Sequence, residues 1–357
     1  MKKRQSNLEI LRILCMIAII ADHFSGQSGV CAANDGSLFA NVFYIVITSG
    51  SRVACNTFVL IGAWFLCEQK FKSYRPVHIW LTIITYTVPI TFLCRYVLGI
   101  EFGREQLLQA FLPIEMNPLW FASCYIILLI TSPFLNAAIN NLKEKQLRLL
   151  IIAFLIIQCL YTTVTLKRGN FEHELWMFFF IYICAGYIKK YGLKYIEKTK
   201  SWQWFLLSLA LWGAVTLGRV YSGVKGIPVM QMYFENYRSE LSTLPCVLLS
   251  FSIFFAFERM DIGSISFINL ISGTTLGVYC FHQVPVFFDF LWKVIFRSTK
   301  YAGTDKQYIY SLCVIPLTFV LGCVIELIRN FIMVHTVEKP IKVWCDKFDN
   351  FLEGEKN

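Results

Sequence analysis

The chain reads as an all-α, polytopic transmembrane helix bundle of about ten helices, and three observations predict that class. Hydrophobic residues make up 56% of its 357 residues and charged residues only 16%, where soluble domains carry ~25% charge. Mean hydropathy is +0.56. The apolar residues gather into runs near the ~20 residues that a spanning helix needs. Lysine and arginine collect in the short stretches between those runs, the signature of membrane topology rather than of a phosphate-binding face.

The spans are expected at 8–26, 42–66, 77–98, 118–139, 147–165, 174–190, 203–221, 239–257, 270–293 and 308–333. The first follows Met1-Lys2-Lys3-Arg4 and is expected to be a retained helix, because no small-residue cleavage site follows it. The second exceeds a straight crossing, so a tilt, a break or a re-entrant piece is expected there. The sixth is short. With the N-terminus inside, the inner segments hold 20 Lys and Arg and the outer ones 11, which favours both termini in the cytoplasm. Residues 1–338 form one transmembrane domain. Residues 339–357 form a short cytoplasmic tail whose Val343, Trp344 and Phe348 suit a membrane surface.

Composition excludes several classes. The net charge of +10 lies in loops, so nucleic acid is not a partner. Thirteen cysteines sit singly, mostly inside apolar runs, with neither a C-x-x-C nor zinc spacing. No metal site is expected. His173, between Glu172 and Glu174, reads as a solvated turn. The motifs of soluble hydrolases, nucleotide-binding enzymes and metalloproteases are missing, so any chemistry falls to polar residues inside the membrane.

Such residues are costly in hydrocarbon and face the bundle interior. Arg12 and His23 lie eleven residues apart on the first span, which returns them to one face ~16 Å apart along the axis. Arg12 is also placed to pair with Glu9 at i, i+3. Asp22 does not share the His23 face. Arg52 lies in or beside the second span, as counter-ion or ligand-binding group. Thr275, Tyr279 and His282 form one stripe, Gly273 and Gly277 allow a close helix approach, and Pro285 is set to bend the chain beyond His282. Glu326 and Arg329 form an i, i+3 pair. His78 and His335 show no evident partners.

Four ordered segments resemble the acyltransferase-3 family of multi-pass membrane acyltransferases. They are Asn7-Leu8-Glu9-Ile10-Leu11-Arg12 with Ala21-Asp22-His23-Phe24; Ser51-Arg52-Val53-Ala54 through Phe58-Val59-Leu60-Ile61-Gly62; Pro118-Leu119-Trp120-Phe121 with Tyr125 and Pro133; and Gly277-Val278-Tyr279-Cys280-Phe281-His282. The chain departs from the family pattern at Asn56, Ile61 and His78. The resemblance implies transfer of an acyl group, commonly acetyl, from cytoplasmic acyl-CoA to a hydroxyl. The acceptor would be a cell-surface or extracellular polysaccharide, or a lipid-linked precursor, so polysaccharide-assembly proteins are implied as partners besides the bilayer. No bound cofactor is implied. His23 matches the catalytic position, while Arg12, Arg52, Arg75, Trp120, Tyr279 and His282 match supporting ones. His23 could serve as general base or acyl carrier. Guanidinium groups suit the CoA phosphates. A rival reading is a transporter or flippase with a solute or proton path along Arg12, His23 and His282, for which no internal repeat is evident. A third is a non-catalytic assembly protein.

Overall fold

The computed structural model describes residues 5–31, 37–165, 174–352 and 354, and among them there is no strand. The principal helices are α1 (Ser6–Gln27), α2 (Leu38–Thr48), α3 (Ser51–Leu66), α4 (Tyr74–Tyr96), α5 (Arg104–Phe111), α6 (Trp120–Asn141), α7 (Glu144–Thr165), α8 (Glu174–Tyr191), α9 (Ser201–Lys225), α10 (Pro228–Ser239), α11 (Leu244–Glu258), α12 (Ser266–Ser272), α13 (Thr275–Gln283), α14 (Gln307–Met333) and α15 (Lys339–Leu352). The charges at residues 2–4, 167 and 168, and His173, lie outside the described residues.

The central helix is α1, the first expected span, which carries Glu9, Arg12 and Asp22 and is not among the helices apolar enough by composition to count as a membrane crossing. α1 packs against α2, α3, α11, α12, α13 and α14. It buries Leu8, Leu11, Ile20 and Phe24 completely, and with them Ser6, Asn7 and Glu9. The side-chain amide of Asn7 donates to the carbonyls of Phe257, Glu258 and Met260. Those carbonyls close α11, where intrahelical partners run out. The residue therefore works as a C-cap supplied by another helix.

The expected ten spans are not all continuous helices. Among the described residues, six helices are long and apolar enough to cross a membrane: residues 38–66, 74–96, 120–141, 144–165, 201–225 and 307–352. The second span is broken at Ser49-Gly50 into α2 and α3. The eighth has only the 15 residues of α11. The ninth is cut into α12, α13 and a π-helical turn at Phe290–Ile295. The cause at its centre is Pro285, which holds Val284 extended and stops α13 at Gln283. The sixth span is short as expected, with the 18 residues of α8. The short helices α5 and α10 fall in stretches that carried no expected span.

The C-terminal stretch is helical as well. A π-helical segment, Val334–Glu338, joins α14 to α15, and α15 packs against α4. Its Asp349 carboxylate accepts from the Ser73 amide at 3.0 Å, and the Ser73 hydroxyl donates to the Cys345 carbonyl.

Candidate active site

His23 and His282, 259 residues apart in sequence, are brought into contact where α1 meets α13: His23 Nδ1 lies 3.0 Å from His282 Nε2. His282 is fully buried, and its Nδ1 sits 2.6 Å from the Val278 carbonyl oxygen one turn back. A carbonyl can only accept, so His282 Nδ1 carries the proton. Neutral His282 then presents a bare Nε2, and His23 must donate to it from Nδ1. The remaining nitrogen, Nε2 of His23, is left with a free lone pair. This chain of inference assigns both tautomers from the hydrogen bonds. It yields an oriented base supported from behind by a second imidazole.

His23 lines a cavity of about 400 Å³ whose wall includes Arg12, Asp22, Arg52, Trp120, Tyr125 and Tyr279. The Arg52 guanidinium lies over the Trp120 ring, 5.4 Å from its centroid, a cation–π geometry. Tyr279 flanks both histidines, with ring centroids 6.5 Å from His23 and 6.2 Å from His282. Arg12 donates to both carboxylate oxygens of Glu9, and Glu9 also accepts from the Ser272 hydroxyl. The i, i+3 pair is therefore present, and it fixes a guanidinium that still lines the cavity.

A second, larger cavity of about 1700 Å³ opens beside the first, lined by Arg12, Arg75, His78, Lys189, Lys190 and Arg259 among others. The two cavities share Arg12, Ile79 and Tyr125. Lys189 is paired with Glu68 at 2.8 Å. Arg75 donates to the Lys70 carbonyl and the Gln69 amide oxygen, Lys190 to the carbonyls of Ile139 and Asn140, and Arg259 to those of Glu197 and Thr199. These three bond neutral oxygens, and the buried Nε of Arg259 has no hydrogen-bond partner.

Of the residues singled out in the sequence, Arg12, Arg52, Trp120 and Tyr279 converge with His23 on one cavity, and His282 stands behind it. Arg75 does not reach that cavity and belongs to the larger one. His78 does have partners: its Nδ1 lies 3.3 Å from Glu338 and 3.4 Å from the Tyr74 hydroxyl. Glu338 follows α14, so nothing local to His78 announces it. Glu326 and Arg329 form a two-point ion pair at 2.7 Å, joined by the Tyr86 hydroxyl at 2.8 Å. Asp22, set aside because it faces away from His23 along the helix, still lines the His23 cavity. Tyr125 was noted in the sequence only as part of the third family-like segment, and Lys190 and Arg259 had no signal as site residues. The described residues hold no cluster of His, Cys, Asp and Glu that could bind a metal ion.

Neither the curated proteins nor the solved structures contain a match to the chain. The family model described as an acyltransferase domain matches residues 5–327. That stretch takes in both histidines and the cationic residues of both cavities, and it stops short of Glu338 and α15. The chain belongs to the acyltransferase-3 family and is a membrane acyltransferase.

Proposed function

We propose that the protein is an integral-membrane O-acetyltransferase of a bacterial plasma membrane. It moves acetyl from cytoplasmic acetyl-CoA to a hydroxyl of a cell-surface or extracellular polysaccharide, or of its lipid-linked precursor. The observation that carries this reading is the free Nε2 of His23, held by His282 in a cavity that adjoins a larger one with spare cations.

The larger cavity suits the donor. Phosphate and pyrophosphate oxygens pair well with guanidinium and ammonium groups, and Arg75, Lys190 and Arg259 have neutral partners that such oxygens can displace or supplement. The thioester end enters between Arg12, Ile79 and Tyr125 to approach His23. A hydroxyl bound in the His23 cavity gives its proton to Nε2 as its oxygen attacks the thioester carbon. The new C–O bond forms, the C–S bond breaks, and the leaving sulfur takes the proton back from Nε2. While His23 is protonated, His282 Nε2 accepts from its Nδ1 and steadies the imidazolium. Orientation with both termini in the cytoplasm places the larger cavity on the donor's side.

General-base catalysis contributes ~10²–10⁴-fold. Membranes or purified protein carrying His23→Ala are therefore expected to lose radiolabelled acetyl transfer by at least that lower factor at equal abundance. Transfer equal to wild type refutes the mechanism. Stable label on the denatured protein, formed without acceptor and absent from His23→Ala, would replace the base role by that of an acyl carrier.

A further inference from the structure

Beyond residue 327 the chain leaves the family match, yet it goes on to bond two residues that line the larger cavity, Tyr74 and His78. α14 has 27 residues, ~40 Å of helix, which already exceeds the ~30 Å hydrocarbon core. The helix that follows it therefore begins at the headgroup layer.

α15 has three sectors. Trp344, Phe348 and Phe351 fall within about 60° of one another around the axis. They are exposed by 69%, 42% and 76%, and the Trp344 and Phe348 rings stack. Leu352 extends this stripe and is exposed too. On one side of the stripe the helix is packed: Cys345, Asp349 and, just ahead of it, Glu338 are buried. The remaining sector carries exposed Lys339, Asp346 and Lys347. Lys342, also exposed, borders the packed sector, its ammonium 5.9 Å from the Tyr74 ring centroid. Three exposed lysines thus stand against one exposed acid.

The packed sector grips the start of α4. Asp349 accepts from the Ser73 amide at the N-terminus of that helix, where negative charge is favoured, and lies 3.9 Å from Lys72. Glu338 accepts from the Tyr74 hydroxyl at 2.9 Å and meets His78. Tyr74, Arg75 and His78 line the larger cavity.

We propose that α15 is a membrane-surface helix that binds anionic phospholipid headgroups, and that through Asp349 and Glu338 it holds the rim of the larger cavity in place. The aromatic stripe enters the interface, where aromatic rings partition well, and the lysines meet the headgroup charge. The occupant follows from continuity with a spanning helix and from the sign of the exposed charge. That the rim admits acetyl-CoA rests on the function proposed above; the lipid contact does not.

The test is hydrogen–deuterium exchange of the full chain in nanodiscs of phosphatidylcholine, with and without phosphatidylglycerol, and in detergent. Residues 339–352 are expected to exchange more slowly in the anionic discs than in the other two settings. Replacing Lys339 and Lys347 with Gln should erase most of the added protection, by about fivefold per lysine. Phe351→Ser should weaken protection in every disc while leaving the spanning helices unchanged. Asp349→Asn should speed exchange at residues 72–79. Equal exchange in detergent and both discs overturns the lipid contact, and unchanged exchange at 72–79 in Asp349→Asn overturns the grip. No acyl donor is present in these measurements. An Arg75→Ala variant with wild-type KM for acetyl-CoA would instead count against the donor cavity and leave the lipid helix standing.

Discussion

His23 gives one ring nitrogen to a neighbouring histidine and keeps the other for the cavity, and that division makes His282 testable as a positioning residue. His282→Ala should lower kcat by about 10–100-fold with little change in acetyl-CoA KM, since it removes the partner of Nδ1 without touching the larger cavity. His282→Gln, which can still accept through its amide oxygen, should recover part of that loss. A second prediction concerns Gly62. A Cβ there would lie 2.1 Å from the Tyr125 hydroxyl, so Gly62→Ala must displace that ring, which lines both cavities. Acetyl-CoA KM should rise severalfold while the Tm of the purified protein stays near wild type. The sequence shows that Arg12 and His23 share a face, because helical period alone decides it. It does not show the contact with His282, which depends on how α1 and α13 cross.

Helices α13 and α14 meet through a glycine. A Cβ on Gly277 would lie 2.1 Å from Glu326 Oε2, and that carboxylate is tied to Arg329 and Tyr86. Gly277→Ala therefore overpacks the interface that carries Tyr279 and His282, at a cost of ~1–3 kcal/mol. Glu326→Ala leaves the Arg329 charge buried and unpaired, which costs more, ~3–5 kcal/mol. Thermal unfolding in detergent should rank wild type above Gly277→Ala and that above Glu326→Ala. The close approach at Gly277 was readable from its small-residue spacing, and so was a disturbance at Pro285, although a bend was expected there and the helix instead stops at Gln283. Helices α5 and α10 were not, because each is short and lacks a spanning apolar run. The grip of α15 on α4 was also hidden: Asp349 and Ser73 are 276 residues apart, and a polar tail gives no sign of where it will dock.

Across the molecule, the proposed orientation places Gln69 and the larger cavity inside and Lys300 outside. In a chain with Cys31 and Cys313 changed to Ser, an impermeant thiol reagent should label Lys300→Cys in intact cells. It should label Gln69→Cys only after the membrane is opened. The reverse pattern would invert the topology. The polytopic helical class was plain from composition, since no other class tolerates so little charge. The count of about ten was not, because hydropathy measures apolar length and cannot see a helix interrupted inside an apolar run, as at Gly273-Thr274 between α12 and α13.

The wall formed by Arg12, Ile79 and Tyr125 belongs to both cavities, and this has a kinetic consequence. Two substrates that lean on the same three side chains cannot bind independently. If the base mechanism holds, both must be present together before reaction, so initial-rate plots against donor concentration should give lines that intersect as acceptor is varied. Parallel lines would mean that the acetyl group changes hands twice. Free CoA, lingering against the shared wall after transfer, should compete with acetyl-CoA and also slow the arrival of the next acceptor.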